Sequence, residues 1–225
     1  MSSGSRADSG PDPGEDGGGP GPDAGDGAAG LVLEFHGVPA LTAELGGDFG
    51  AELEEVRIDL ENVRAVGDAA PGDSRTTRDQ LRLEWYGGDD DGGEPANNEP
   101  VLVTFDQAPP GLYSNVYAEL TDYRMQGKVV VETNERDFDI DDSPSTPLAI
   151  SIPLGGVTLE AGETRHVSID VSCADAVRET RWDEVGEEDG NLVVDSGSPQ
   201  IAAVRETMQA AFTYQGGDEV SSGGL

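Results

Sequence analysis

From residue 31 onward the sequence alternates apolar with polar positions, in short runs bounded by Gly, Pro, Asn and Asp. Successive side chains of a strand point to opposite faces, so a period of two marks a strand with one buried face and one wet face. In LVLEF the pattern aligns Leu31, Leu33 and Phe35; in EVRIDLENV it aligns Val56, Ile58 and Leu60 and leaves Arg57 and Asp59 opposite. LRLEWY aligns Leu81, Leu83 and Trp85, VLVTF aligns Val101, Val103 and Phe105, and HVSIDVSC aligns Val167, Ile169, Val171 and Cys173. With LYSNVYAEL, KVVVET and LAISIPL these make about eight strands. The segments PGDS, QAPPG, DDSPSTP and EAGET separate them with residues that set or permit turn dihedrals. The pattern predicts a single antiparallel β-sandwich over residues 31–175. No internal repeat of fixed period is present, which argues against propellers and solenoids.

Only the C-terminal part departs from alternation. In SPQIAAVRETMQAAF, Ser198 is placed to cap, Pro199 occupies a first helical position, and Ile201, Val204, Met208, Ala211 and Phe212 recur at helical spacing. A helix over 198–213, packed on the sandwich, is predicted. Residues 176–197, with WDEVGEEDG, read as an acidic loop, and 214–225 as a flexible tail. Residues 1–30 hold almost nothing apolar and read as a disordered Gly/Pro/Asp linker, because they cannot bury enough surface to offset the entropy of ordering.

The stretch PPGLYSNVYAEL combines turn residues with tyrosines. Counting by strict alternation from Leu112 puts Leu112, Val116, Ala118 and Leu120 on one face and Tyr113, Asn115, Tyr117, Glu119 and Tyr123 on the other. The favoured reading lays the C-terminal helix over the tyrosines. The alternative leaves Tyr113, Tyr117 and Tyr123 open as a platform for sugar rings, each offering a flat apolar surface and a hydroxyl.

VRIDLENVRAV, VLVTF, APPGLYSNVYAEL and LAISIPLGGVTLEAGETRHVSIDVS together resemble the bacterial and archaeal lipoprotein domain known as domain of unknown function 4382. The resemblance spans roughly residues 53–173 and rests on turn and strand signals. It implies a transthyretin-type or prealbumin-like β-sandwich, exported and anchored at the surface, and it supplies no catalytic residues. The sequence departs from that family in its acidic insertions at 67–80 and 87–99 and in lacking an anchoring cysteine. MSSGSRADSG also lacks the basic-then-apolar pattern of a secretory signal. Location in the cell envelope or outside the cell is the favoured expectation, with the cytoplasm of a salt-adapted organism as the alternative.

Charge narrows the partners. The chain carries 46 acidic against 13 basic residues, a formal charge of -33. A nucleic-acid backbone or an anionic lipid surface would be repelled, and so would a second copy, so a monomer is expected. No apolar run approaches the roughly 18 residues that span a bilayer. One cysteine, Cys173, permits no intramolecular disulfide.

Few groups are suited to catalysis. His36 and His166 fall on the polar faces of their strands, while Cys173 points the other way with Val167 and Ile169, so the three do not converge as a zinc set. Cys173 reads as a small core residue. No Gly-x-Ser-x-Gly elbow is present, and His166 and Asp170, four apart on one strand, lie roughly 13 Å from each other. GGGPGPDAG lacks the strand before and the helix after that a phosphate loop requires. Paired carboxylates for glycoside hydrolysis are too numerous to single out.

Calcium is the arguable cofactor. DFDIDD sets Asp137, Asp139 and Asp141 on one strand face, and GGDDDGGEPANNE offers Asp89 and Asp91 among further oxygens. Counted from Asp137, however, the sixth position is Asp142 rather than Gly and the twelfth is Leu148 rather than Glu, so the helix-loop-helix calcium pattern fails. A solvated run of charge is the plainer account. The sequence therefore predicts a non-catalytic binding or structural module with a partner protein or glycan, with calcium or carbohydrate binding as the alternative and an enzyme of unrecognised class behind it.

Overall fold

The computed structural model describes residues 29–38, 50–67, 74–87 and 97–216. The strands are β1 (Gly30–Gly37), β2 (Ala51–Gly67), β3 (Ser74–Tyr86), β4 (Val101–Phe105), β5 (Gly111–Val131), β6 (Asn134–Asp142), β7 (Leu148–Leu159), β8 (Thr164–Val171), β9 (Gly186–Glu188), β10 (Asn191–Asp195) and β11 (Phe212–Gly216). Two α-helices, α1 (Ala174–Glu179) and α2 (Ile201–Gln209), and a short 3-10 helix at Trp182–Glu184 interrupt the C-terminal part of the described residues. The smaller sheet runs β11-β8-β1-β4 and the larger β3-β2-β5-β6-β10-β9, with β7 also paired to β5; neither closes into a barrel.

Both sheets are mixed, where purely antiparallel pairing was expected. β1 runs parallel to β8, and β10 runs parallel to β6. In each pair long stretches of chain separate the partners, so no tight hairpin dictates their direction. The remaining pairs are antiparallel.

Alternation locates the core well. Leu31, Leu33 and Phe35 from β1, Val56, Ile58 and Leu60 from β2, Leu83 and Trp85 from β3, and Val167, Ile169 and Val171 from β8 are buried in one hydrophobic cluster fed by both sheets. LYSNVYAEL and KVVVET are not two strands but the two halves of β5, which pairs with β2 along most of its length, with β7 in its first half and with β6 in its second.

β5 does not keep one phase. Its register shifts between Tyr113 and Asn115 against β7, and between Leu120 and Asp122 against β2. Each bulge inserts a residue and reverses which parity faces inward. Tyr113 and Tyr123 therefore join Val116, Ala118 and Leu120 in the core, at 0% exposure, whereas Tyr117 faces out and Leu112 is exposed. The aromatic face expected from strict alternation is not formed, and β5 buries one face, not two. Near its far end Gly127 passes close to β2: a Cβ there would meet the Glu52 carbonyl oxygen at 1.9 Å.

The C-terminal segments are more ordered than expected. Within 176–197, Trp182 packs on Phe138 with ring centroids 4.8 Å apart and donates its indole N–H to the Val177 carbonyl. Leu192 and Val194 alternate inward to make β10 a strand rather than part of a loop. α2 is shorter than the expected 198–213. Ser198 does not cap it but donates to Asp195, and Phe212 opens β11 beside Val171. Residues 214–216, assigned to the tail, belong to β11, while Ala29 and Gly30, assigned to the linker, are buried at the start of β1. Residues 1–28 and 217–225 lie outside the described residues.

Candidate functional site

More than half of the 13 basic residues fall on β2, β3, β5 and β6. Most polar positions of these strands lie on the outer face of the larger sheet, half-buried or exposed, with Asp142 as an exception. Neighbouring strands lie about 4.8 Å apart, so acids and bases on adjacent strands meet across the sheet. Asp59 pairs with Arg82 on one side and Asp122 on the other, one row from Arg57 and Arg124.

The side chains follow that register. Arg82 donates Nε to Asp59 Oδ1 at 2.7 Å and Nη2 to Oδ2 at 3.1 Å, a planar two-point pair. Arg57 donates Nη2 to Asp122 Oδ1 at 2.9 Å, and its Nε stands 3.9 Å from Asp59 Oδ2. The Ser143 hydroxyl donates to Asp122 Oδ2 at 2.5 Å. The result is a continuous chain Arg82–Asp59–Arg57–Asp122–Ser143 across β3, β2 and β5. Burial works to raise the Asp122 carboxyl, but the Ser143 hydroxyl and the Arg57 guanidinium outweigh it and hold the group below its ordinary range.

Arg57, Asp59, Arg82 and Asp122 line a concavity of about 640 Å³ together with Gln80 and Thr121. The second β5 bulge shapes it: Thr121 and Asp122 are consecutive there, and the Thr121 hydroxyl donates to the Asp59 carbonyl at 3.2 Å. Two orders of residue down β5, Tyr117 lies across from Arg64, whose guanidinium carbon is 5.7 Å from the ring centre. Between them Asn62 donates to Glu119 at 2.7 Å. Arg57 Nε is buried and has no hydrogen-bond acceptor.

The calcium candidates divide. Asp137, Asp139 and Asp141 do share the outer face of β6. Asp139, however, is held at both oxygens by Arg124, at 3.1 and 2.6 Å, and also accepts from Gln126 at 3.2 Å. Arg124 reaches Asp141 as well, at 3.8 Å, yet burial and the nearby Asp139 charge push the Asp141 carboxyl up. A guanidinium occupies the place a cation would take. Among the described residues no group of three or more His, Cys, Asp and Glu side chains converges as a metal set. Asp89 and Asp91 lie outside the described residues.

The other candidates also have definite places. Of the three tyrosines only Tyr117 is on the outer face. The Tyr113 hydroxyl donates to the Pro109 carbonyl at 2.7 Å. Tyr123 is enclosed beside Asp142, which is itself fully buried and held by Arg205 of α2 through two bonds of 2.8 Å. The Tyr123 hydroxyl has no hydrogen-bond partner, and burial, with the Asp142 charge, drives its ionisation far above the ordinary tyrosine range. His166 and His36 lie on the outer face of the smaller sheet, 2.5 and 3.8 Å from the two oxygens of Glu34. Cys173 is buried, and that burial pushes its thiol up to about 12.

The charge chain of the groove was missed by reading runs one at a time. Its signal is an acid and a base two apart on a polar face, as in Arg57-x-Asp59, Arg82-x-Glu84 and Asp122-x-Arg124. Asp142 had a signal too, standing in phase with the apolar Phe138 and Ile140. No protein-family model, no curated protein and no solved structure matches this chain.

Proposed function

We propose that the chain is a non-catalytic binding module, a prealbumin-like β-sandwich akin to domain of unknown function 4382, carried at the cell envelope on its N-terminal Gly/Pro/Asp segment. The two sheets facing one core fit a sandwich, and the strand and turn motifs quoted above fit that family. The observation that carries the binding role is the outer-face groove. Its polar side chains are fixed by ion pairs on rigid strands, which is how recognition surfaces are held ready for a ligand. Its volume falls within the range of roughly 300–1,000 Å³ usual for small-ligand sites.

Cell fractionation of the native organism, with protease treatment of intact cells, tests the reading. The protein is expected in the envelope fraction and accessible from outside. Recovery in the cytosol, protected until lysis, would replace it with the salt-adapted cytoplasmic alternative.

A further inference from the structure

The groove's own bonding narrows what it can hold. Asp59 and Arg82 satisfy each other at two points, and Arg57 is committed to Asp122. An anion entering there must compete with Asp59 or Asp122 for a guanidinium, and it approaches a chain of formal charge -33. A cation must displace Arg82 or Arg57 from their carboxylates. A hydroxyl has neither problem, because it both donates and accepts: it can give its proton to a spare carboxylate lone pair and take one from a spare guanidinium N–H, leaving the ion pairs intact. The lining is polar almost throughout, with Leu60 and Leu81 buried beneath it, so an apolar ligand would strand paired charges away from water.

Tyr117 adds the complementary surface. It stands on the same face, four residues from Thr121, or roughly 13 Å along the strand. The Arg64 guanidinium carbon lies 5.7 Å from the Tyr117 ring centre, and the ring is of the flat apolar kind against which a sugar ring packs. A ligand reaching from the groove to Tyr117 is longer than one sugar ring.

Resting on the binding-module reading, we infer that the outer face of β3, β2 and β5 binds a neutral, hydroxyl-rich oligosaccharide, with Arg82, Asp59, Arg57 and Asp122 as its hydrogen-bonding row and Tyr117 as its stacking surface. The test is the full-length chain on a printed array of neutral glucans, xylans, mannans and chitooligosaccharides beside sialylated and uronic-acid glycans, with calorimetry on each captured glycan. Neutral glycans are expected to bind and acidic ones to be rejected. Arg82→Gln should weaken binding roughly ten-fold or more, as loss of charge-assisted bonds implies, and Tyr117→Ala should weaken it several-fold. Arg82 is largely exposed and Tyr117 lies outside the core, so both variants should keep the wild-type melting temperature, which is measured alongside. Capture of no glycan, equal capture of acidic glycans, or affinity unchanged in both variants would overturn the inference. An envelope protein that captures no glycan still leaves the module reading standing, whereas a cytosolic location removes that reading whatever the array shows.

Discussion

Arg205→Ala should be among the most damaging single substitutions at a residue that still reaches solvent. The Asp142 side chain is 0% exposed and takes both of its strong bonds from Arg205, whose own side chain is 29% exposed. Removing the arginine leaves an enclosed carboxylate against the Tyr123 hydroxyl. Breaking a fully buried pair costs about 3–5 kcal/mol, and water reaching one side of Arg205 screens part of it, so about 2–4 kcal/mol is expected. For a domain of this size that corresponds to a melting temperature lower by roughly 4–16 °C. Urea denaturation followed by the fluorescence of Trp85 and Trp182 measures the loss. Replacing both partners with apolar groups, Asp142→Leu with Arg205→Met, should recover most of it, because neither charge is then stranded. A loss below about 0.5 kcal/mol for Arg205→Ala, the level of an ordinary surface pair, would refute the argument. So would a double variant less stable than the single one.

Gly127→Ala drives a methyl group into the backbone of β2 and should cost about 3 kcal/mol or more, read by the same denaturation. Cys173, buried with its thiol pushed up to about 12, should resist a thiol reagent at about pH 8 in the native protein and react promptly in denaturant. The Asp141 carboxyl is raised in the fold, so its contribution is stabilising only below its ordinary value near 3.8 and is lost as pH rises through the raised one. Asp141→Asn should therefore raise the melting temperature at neutral pH, with the gain fading as the pH approaches 4; a gain constant across that range would contradict the assigned cause.

Where a strand keeps its phase, alternation finds the buried face without help from the structure. Leu31, Leu33 and Phe35, or Val167, Ile169, Val171 and Cys173, are placed correctly because nothing interrupts them. Tyr113 and Tyr123 are misplaced because two bulges reverse the phase of β5, and a bulge is a property of pairing between strands that a single run does not carry. The same holds for the groove. Arg57 and Asp59 are legible as outward residues, but that Asp59 meets Arg82 and Arg57 meets Asp122 depends on the register among β3, β2 and β5. The parallel neighbours of β1 and β10 are hidden for a related reason, since long-range pairing follows from the whole topology and not from local propensity. Short strands such as β9 lack a run long enough to show any period.

β1 is the first of the described strands, yet it lies between β8 and β4, with Gly30 beside Thr164, and β8 is itself flanked by β11, the last of them. Of the smaller sheet, only the β1–β4 pair is available before β8 is made. Until β8 is made, β1 has one of its two edges unpaired, and completing the sheet waits on the closing of long loops. The smaller sheet also depends on the last described strand: cutting before Phe212 removes the edge that completes the sheet begun at Gly30.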